Sequence, residues 1–184
     1  MSMTKAVEEK ASRPRGKAAE APGKQPVFIT HPFAPLFDEN SRVLILGSFP
    51  SVKSRDQRFY YGHPQNRFWK VLAALYHRDV PESIPEKRAL ILENSLALWD
   101  SIAACEITGS SDASIRNAKP NDLQVILGHA PIRLIVCNGK ASFQCYETWI
   151  RPRTGREALC LPSTSPANAQ WSLARLTEAW SVIL

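Results

Sequence analysis

Val43-Leu44-Ile45-Leu46-Gly47 is an apolar run that ends at a glycine and leads into the turn Ser48-Phe49-Pro50-Ser51. A short run without polar alternation is typical of a strand that is covered on both faces. Similar runs predict further strands over 96–100, 132–137 and 158–161. Strands of this type belong to a parallel sheet, and the connections between them are expected to be helical.

Helical spacing of apolar residues lies between these runs. After Asn66, apolar residues recur at positions 68, 71, 72, 75 and 76, which is the spacing of one helix face. Further helices are predicted over about 85–95, 121–129 and 138–150 and after Pro166, with loops over 48–65 and 100–120. This alternation predicts an α/β fold, a three-layer αβα sandwich with a mainly parallel four-stranded central sheet. Ligands bind beyond the carboxyl ends of such strands, so we expect the functional site just after residues 47, 100, 138 and 161.

Composition divides the chain into a tail and one domain. Residues 1–26 have no aromatic residue and are rich in Ala, Lys, Glu and Pro, so we expect a disordered basic tail. The first 24 residues hold six Lys or Arg and three Glu, which is half of the net charge of +6. Such a tail holds DNA loosely or only keeps the protein in solution. Residues 27–184 are long enough to form a single domain with its own core.

Several classes of protein do not fit the sequence. No stretch of 18 apolar residues is present, so we expect no membrane span. Charges occupy the N-terminal positions where a secretory signal has its apolar core, so we expect a cytoplasmic protein, associated with the nucleoid of a bacterium. The four cysteines lack the spacing of zinc or iron–sulfur ligands. We interpret them as structural thiols and expect neither a metal nor a cofactor.

Three loops at predicted strand ends resemble those of a known family. Residues 47–51, Gly-Ser-Phe-Pro-Ser, and residues 60–70, Tyr-Tyr-Gly-His-Pro-Gln-Asn-Arg-Phe-Trp-Lys, resemble the mismatch-specific uracil/thymine branch of the uracil-DNA glycosylase superfamily. Residues 161–166, Leu-Pro-Ser-Thr-Ser-Pro, look like the second motif of that superfamily. Residues 138–141, Asn-Gly-Lys-Ala, are similar to its turn after the third strand. The resemblance covers about residues 40–184 in collinear order.

One position departs from the uracil/thymine branch. Where that branch carries an Asn that positions the attacking water, this sequence has Phe49. The whole pattern is most similar to the hypoxanthine-DNA glycosylase branch, which is associated with deoxyinosine. The resemblance implies a glycosylase that removes a deaminated base, above all hypoxanthine, from double-stranded DNA in base excision repair. No lysine lies where a Schiff-base nucleophile would, so we expect a monofunctional enzyme, and we expect a monomer. The alternatives are a uracil or thymine mismatch glycosylase and a relative that binds lesion DNA without catalysis.

The implied reaction sets what the site must supply. Hydrolysis of an N-glycosidic bond requires an extruded nucleotide, a held base edge, support for the charge on the leaving base and a placed water. We expect Asn66 and Asp100 to be the catalytic residues, because an amide contacts the base or orients a water and a carboxylate polarises a water. The alternatives are a helix cap for Asn66 and a turn residue for Asp100.

The remaining candidates form two groups. Tyr61 is expected to stack on the extruded base, because an aromatic face accepts any base. Further contacts to the base are expected from Tyr60, Phe49, Ser48 and Asn138. Contacts to the DNA backbone are expected from Ser163, Thr164, Ser165, Asn168 and His63. For Tyr60 and Tyr61 the alternative is packing beneath the loop, and for Asn138 it is a role in the turn before Gly139. For Asn168 the alternative is a cap on the last helix, and for His63 a role in shaping its loop.

Overall fold

Strands and helices alternate through residues 25–184, the part of the chain that a computed structural model describes. The strands are β1 (Val27–Thr30), β2 (Val43–Gly47), β3 (Leu96–Asp100), β4 (Ile102–Ile107), β5 (Arg116–Pro120), β6 (Leu134–Asn138) and β7 (Leu159–Leu161). The helices are α1 (Val52–Gln57), α2 (Phe68–Leu75), α3 (Ile84–Leu92), α4 (Gln124–Leu127), α5 (Lys140–Cys145), α6 (Arg151–Thr154) and α7 (Leu173–Trp180). The predicted tail over 1–26 lies outside the described residues except for positions 25 and 26.

The central sheet has four parallel strands in the order β3-β2-β6-β7. Leu44, Ile45 and Leu46 of β2 have no exposed surface, because helices cover both faces of the sheet. This arrangement confirms the predicted α/β sandwich with a parallel four-stranded sheet. No helix within residues 25–184 is both long enough and apolar enough to cross a bilayer.

The helices bury the apolar faces that their spacing predicts. Phe68, Val71 and Leu72 of α2 are fully buried, and α2 packs against α7 and α3. On another part of the sheet, α5 packs against β6 and β7 and continues as a π-helical turn over Tyr146–Ile150. A capping box at the start of α3 joins Ser83 and Glu86, which satisfies two otherwise free backbone donors.

A second sheet occupies a region that the sequence pattern assigned to a loop. The predicted loop over 100–120 is wrong, because β4 and β5 form an antiparallel hairpin there. β1 adds to the outer side of β4, with Thr30 opposite Ala104. Only Ser101 separates β3 from β4, so the chain passes directly from the parallel sheet into the antiparallel one.

The predicted loop over 48–65 is also wrong in part, because it contains α1. Ser51 caps this helix through a hydrogen bond that its side chain accepts from the backbone N–H of Ser54. The four parallel strands nevertheless end together as expected. Gly47 is paired with Asp100, and Asn138 is paired with Leu161, so all four carboxyl ends lie at one edge of the sheet.

Candidate active site

A cavity of about 110 Å³ opens at the carboxyl ends of the parallel strands. One water needs roughly 10–15 Å³, so the cavity has room for several waters. Ten of the side chains predicted for the site line it, and they come from loops that follow different strands. These ten are Ser48, Phe49, Tyr60, Tyr61, Asn66, Asp100, Asn138, Ser163, Thr164 and Ser165. Two others, His63 and Asn168, lie outside the lining.

A hydrogen-bond chain runs from Asn138 through Thr164 to Asn66. The Nδ2 of Asn138 donates to Oγ1 of Thr164, and that hydroxyl donates to Oδ1 of Asn66, each over 2.9 Å. The backbone N–H of Thr164 donates to Oδ1 of Asn138 at 2.9 Å, and the backbone N–H of Phe68 donates to Oδ1 of Asn66 at 3.0 Å. The loop after β7 is thereby tied to β6 and to the start of α2.

The two backbone donors fix the orientation of both amides. A backbone N–H only donates, so the atoms facing Thr164 N and Phe68 N must be the amide oxygens. Both lone pairs of the Asn66 oxygen are then occupied by hydrogen bonds. The other polar atom of the amide, Nδ2, can only donate. Within residues 25–184, no oxygen accepts a hydrogen bond from that Nδ2. Asn66 thus uses its oxygen to accept from the first residue of α2, whose N-cap residue is Arg67, and keeps a free donor for a ligand.

Tyr61 is held in an unusual conformation. Its φ of +51° lies in the left-handed region, which bulky residues rarely adopt. Its ring stacks on Phe68, with centroids 3.8 Å apart and an angle of 22° between the planes. One face of the ring is thus covered, and only the opposite face can stack on another aromatic group.

Asp100 forms a buried pair with His31, a residue that the sequence analysis did not single out. His31 Nε2 lies 2.7 Å from Oδ2 of Asp100, and the two side chains are 4% and 6% exposed. His31 directly follows β1, and its backbone N–H donates to the carbonyl of Ala103. The β-forming run Val27-Phe28-Ile29-Thr30 was a signal for this strand, but its pairing partner is not visible in local sequence.

Glycine at position 47 is required by the Asp100 carboxylate. A Cβ at this position would lie 2.1 Å from Oδ1 of Asp100 and 3.3 Å from the hydroxyl of Tyr61. Both polar groups therefore border the space that a side chain on residue 47 would fill. Burial, and after it the negative charge of Asp100, raises the pKa of Tyr61 far above its usual range. The phenol is consequently protonated at neutral pH.

Comparison with known proteins identifies the family of the chain that forms this site. Residues 34–183 match the sequence profile of the Uracil DNA glycosylase superfamily. The chain belongs to that superfamily. It is also similar to the solution NMR structure of a protein from Methanosarcina acetivorans that is provisionally described as a uracil DNA glycosylase. The TM-score is 0.69 at 30% identity, and the match covers 87% of this chain and 98% of the other.

Two relatives from Methanosarcina species are similar over most of their length. The chain is 35% identical over 151 residues to a protein of Methanosarcina barkeri named "Hypoxanthine DNA glycosylase", covering 81% of this chain and 94% of the relative. It is 35% identical over 158 residues to a protein of the same name from Methanosarcina acetivorans, covering 85% and 98%.

Tyr60 and Phe49 line the cavity of this superfamily member and are themselves buried in its wall. Tyr60 is 3% exposed, its ring packs edge-on against Phe33 and Phe59, and its hydroxyl donates to the carbonyl of Ala34 at 3.0 Å. These contacts favour the packing alternative for Tyr60. Phe49 is also buried and lies edge-on to the ring of His31. The two rings shape the cavity with apolar surface.

Ser48 leads to a second carboxylate that sequence reasoning missed. Its hydroxyl donates to Oδ1 of Asp112 at 2.8 Å, and both residues line the cavity. Asp112 lies on the turn between β4 and β5, and Arg55 ties that turn to the first loop through the carbonyls of Pro50 and Gly109. Burial raises the pKa of Asp112. The local sequence around Asp112 does not predict that it lines the cavity, because the β4–β5 hairpin brings it there.

The loop over 162–166, which resembles the superfamily's second motif, is held by hydrogen bonds of its own residues and of neighbouring loops. Thr164 is fully buried, so its side chain positions Asn66 and Asn138 and does not face solvent where DNA would lie. Ser163 and Ser165 are partly exposed, and the Ser163 hydroxyl accepts a hydrogen bond from the backbone N–H of Ser165. Asn168 donates to the carbonyl of Ser163 at 2.9 Å.

Two interpretations of neighbouring polar residues need revision. Ser172, and not Asn168, caps α7, through a hydrogen bond from the backbone N–H of Arg175. The cap alternative for Asn168 is therefore wrong. His63 uses Nδ1 to accept a hydrogen bond from the backbone N–H of Gln65 at 3.2 Å, which is the loop-shaping role.

Proposed function

We propose that this protein is a monofunctional DNA glycosylase that extrudes deoxyinosine from double-stranded DNA and removes hypoxanthine by hydrolysis. Membership of the uracil DNA glycosylase superfamily supports the coarser part, a hydrolase that acts on N-glycosidic bonds of DNA. The two relatives at 35% identity, both named hypoxanthine DNA glycosylase, support the choice of base.

The free donor of Asn66 is the observation that carries the proposal. Its oxygen is saturated by Thr164 and Phe68, so the amide faces the cavity as a donor only. The O6 atom of hypoxanthine accepts hydrogen bonds, whereas the 6-amino group of adenine donates them. Adenine in the same pose would leave two donors facing each other, which costs about 1–3 kcal/mol for a buried group. Asn66 thus favours hypoxanthine over adenine, the base from which deamination produces it.

The same donor assists the chemical step. Breaking the bond between C1′ and the base leaves negative charge on the base, and a fixed donor near that charge lowers the barrier. Stacking on the free face of Tyr61 holds the base plane in position. Phe49 adds an apolar wall where the uracil/thymine branch has a polar side chain.

Contacts to DNA are proposed for the rim of the cavity. Ser163 and Ser165 present small hydroxyls and backbone groups beside the opening, and such groups contact phosphates in many complexes. Nε2 of His63 has no partner within residues 25–184 and is available for a further phosphate contact. We also propose that residues 27–184 act as one domain and as a monomer.

Release of free base from lesion duplexes tests the proposal. The duplexes carry one deoxyinosine, deoxyuridine, deoxyxanthosine, deoxyadenosine or a G·T mismatch, and the released base is quantified under single-turnover conditions. Hypoxanthine is expected to be released fastest and adenine not at all. A preference for uracil or thymine would replace the proposal by the mismatch alternative. Binding of lesion DNA without release of any base would favour the non-catalytic alternative.

An Asn66→Asp variant tests the donor directly. The carboxylate has nearly the same shape and keeps the acceptor for Thr164 and Phe68, but it cannot donate to O6. We expect hypoxanthine release to fall by about 10² or more, with little change in the melting temperature. Asn40→Asp, on an exposed turn, is the matched control and should retain the wild-type rate. Equal rates for Asn66→Asp and the wild type would reduce Asn66 to a helix cap.

A further inference from the structure

The cavity contains few groups that can take a proton from water. The oxygens of Asn66 and Asn138 are both engaged by backbone N–H donors. Two carboxylates remain among the lining residues, Asp100 and Asp112. Burial raises the pKa of Asp112, which favours its protonated form, and its Oδ1 already accepts from Ser48. Asp100 is therefore the better placed acceptor.

The two oxygens of Asp100 have different surroundings. Oδ2 accepts a hydrogen bond from His31 Nε2 at 2.7 Å. Oδ1 lies beside Gly47, and no donor within residues 25–184 reaches it. The hydroxyl of Tyr61 borders the same space next to Gly47 and is buried. The Asn138 side chain lies near enough to oppose the rise in its pKa, but no group in the described part of the chain meets hydrogen-bond geometry with it. An acceptor and a donor thus face one small polar space.

We propose that Asp100 is the general base that orients and deprotonates the attacking water, and that His31 is the positioning residue that holds its carboxylate. The inference rests on the proposed glycosylase function and adds to it the residues that supply the nucleophile. A water between Oδ1 of Asp100 and the hydroxyl of Tyr61 donates to the first and accepts from the second. It takes over the task that a polar side chain at the position of Phe49 would have.

Both ring nitrogens of His31 have partners, which suits it to hold the Asp100 carboxylate in place. Its Nδ1 lies 2.8 Å from the carbonyl of Phe33, which only accepts, so Nδ1 carries a proton. Nε2 lies 2.7 Å from Oδ2 of Asp100 and faces that carboxylate. His31 is thus fixed at both nitrogens and cannot rotate away. The contact between Nε2 and Asp100 holds Oδ2 in place. Oδ1 is then the oxygen that receives a proton from water.

The proposed step balances as a hydrolysis. The bond between C1′ and N9 breaks, and its electron pair leaves on hypoxanthine, where the donor of Asn66 stabilises the charge. The water oxygen bonds to C1′, and one water proton passes to Oδ1 of Asp100. The leaving base takes a proton from solvent, and Asp100 returns its proton to solvent after product release. The products are free hypoxanthine and an abasic deoxyribose.

Variants of the pair test the inference on the base that the wild-type protein releases fastest, so that a different preferred base does not affect the outcome. Asp100→Asn should lower the single-turnover rate by about 10² or more. His31→Ala should lower it by about 10-fold to 10²-fold, the range seen when a residue that orients a metal-ligating side chain is removed. His31→Gln keeps a donor toward Asp100 and should recover most of the rate. His129→Gln, at an exposed histidine outside the site, should behave as the wild type.

Affinity and stability separate a positioning role from a structural one. Each variant is measured for its Kd with uncleaved lesion DNA and for its melting temperature. We expect the rate to fall while Kd stays within about threefold of the wild type, since the pair acts on water and not on DNA. Unchanged rates in His31→Ala or Asp100→Asn would overturn the inference. A larger loss in Asp112→Asn than in Asp100→Asn, or a loss in His31→Ala that Gln does not recover, would also overturn it.

Discussion

Tyr61 carries two costs that a residue chosen for packing would avoid. Its backbone lies in the left-handed region, and its hydroxyl is buried without a partner within residues 25–184. Strained backbone and unpaired polar groups are concentrated at functional sites, where stability is given up for a fixed geometry. Stacking on Phe68 fixes the position of the Tyr61 ring and so holds its backbone in the strained conformation.

Replacing Tyr61 by Phe separates stability from activity at this residue. The variant keeps the stacking face but removes a hydroxyl that bonds no protein group within residues 25–184, so we expect the free energy of unfolding to stay constant or to rise by up to about 1 kcal/mol. The rate of base release should fall, because the water loses its donor. Tyr146→Phe is the matched control. The Tyr146 hydroxyl donates to the carbonyl of Arg156 at 2.9 Å, so its removal should lower stability and leave the rate unchanged. If both variants were equally destabilised, the Tyr61 hydroxyl would have a partner within the protein.

Among the elements, α2 and the loop after β7 behave as one unit. Arg67 precedes α2, and its guanidinium donates to four carbonyls of that loop, those of Thr164, Ser165, Asn168 and Trp171. A guanidinium presents several donors in a fixed fork and can satisfy such a set at once. Arg67 therefore fixes the loop that positions Thr164 and, through it, Asn66.

Arg67→Lys keeps the positive charge and removes the fork. A lysine reaches fewer of the four carbonyls, so we expect a stability loss of about 1–3 kcal/mol. Amide hydrogen exchange over 163–171 should become faster, and the rate of base release should fall about 10-fold or more as Asn66 loses its support. Arg78→Lys, at an exposed pair with Glu93, is the control. Exchange over 163–171 at the wild-type rate would show that the loop is held by other contacts.

The elements also show what the sequence could predict. β2, α2 and the parallel sheet follow from local periodicity, because each buries its own apolar face. The β4–β5 hairpin was missed because its outer strand, Arg116-Asn117-Ala118-Lys119-Pro120, is mostly exposed and carries no apolar alternation. His31 and Asp112 were missed with it, since pairing between distant strands brings both to the site. The lining by Asn66, Tyr61 and Asp100 was predictable, since these residues follow strands that end at one edge.

Over the whole molecule, the cavity lies at the junction of the two sheets. The parallel sheet supplies Gly47, Asp100 and Asn138 at its strand ends, and the antiparallel sheet supplies His31 and the turn with Asp112. A parallel sheet alone would leave Asp100 without its partner. The second sheet thus contributes to the candidate site, through Asp112 in its lining and through His31, which pairs with Asp100.

The burial of three cysteine thiols in their protonated form predicts that the whole molecule loses stability at alkaline pH. Burial raises the pKa of Cys105 to about 11 and the pKa values of Cys137 and Cys145 to about 12. In the unfolded chain thiols ionise at about pH 8.5. Above that pH the unfolded state therefore binds fewer protons than the native state, so the free energy of unfolding falls as the pH rises. Below it, both states hold these protons and the three thiols contribute no pH dependence.

Denaturant unfolding at a series of pH values from 7 to 9.5 measures this effect. Cys137→Ala removes one thiol that is fully buried, and its lost packing lowers stability by the same amount at every pH. The fall in the free energy of unfolding above pH 8.5 should therefore be shallower in the variant, because one fewer group releases its proton on unfolding. Lysine and tyrosine titration is common to both proteins and cancels in the difference. Parallel curves for the variant and the wild type would mean that the Cys137 thiol is as free to ionise in the native state as in the unfolded chain.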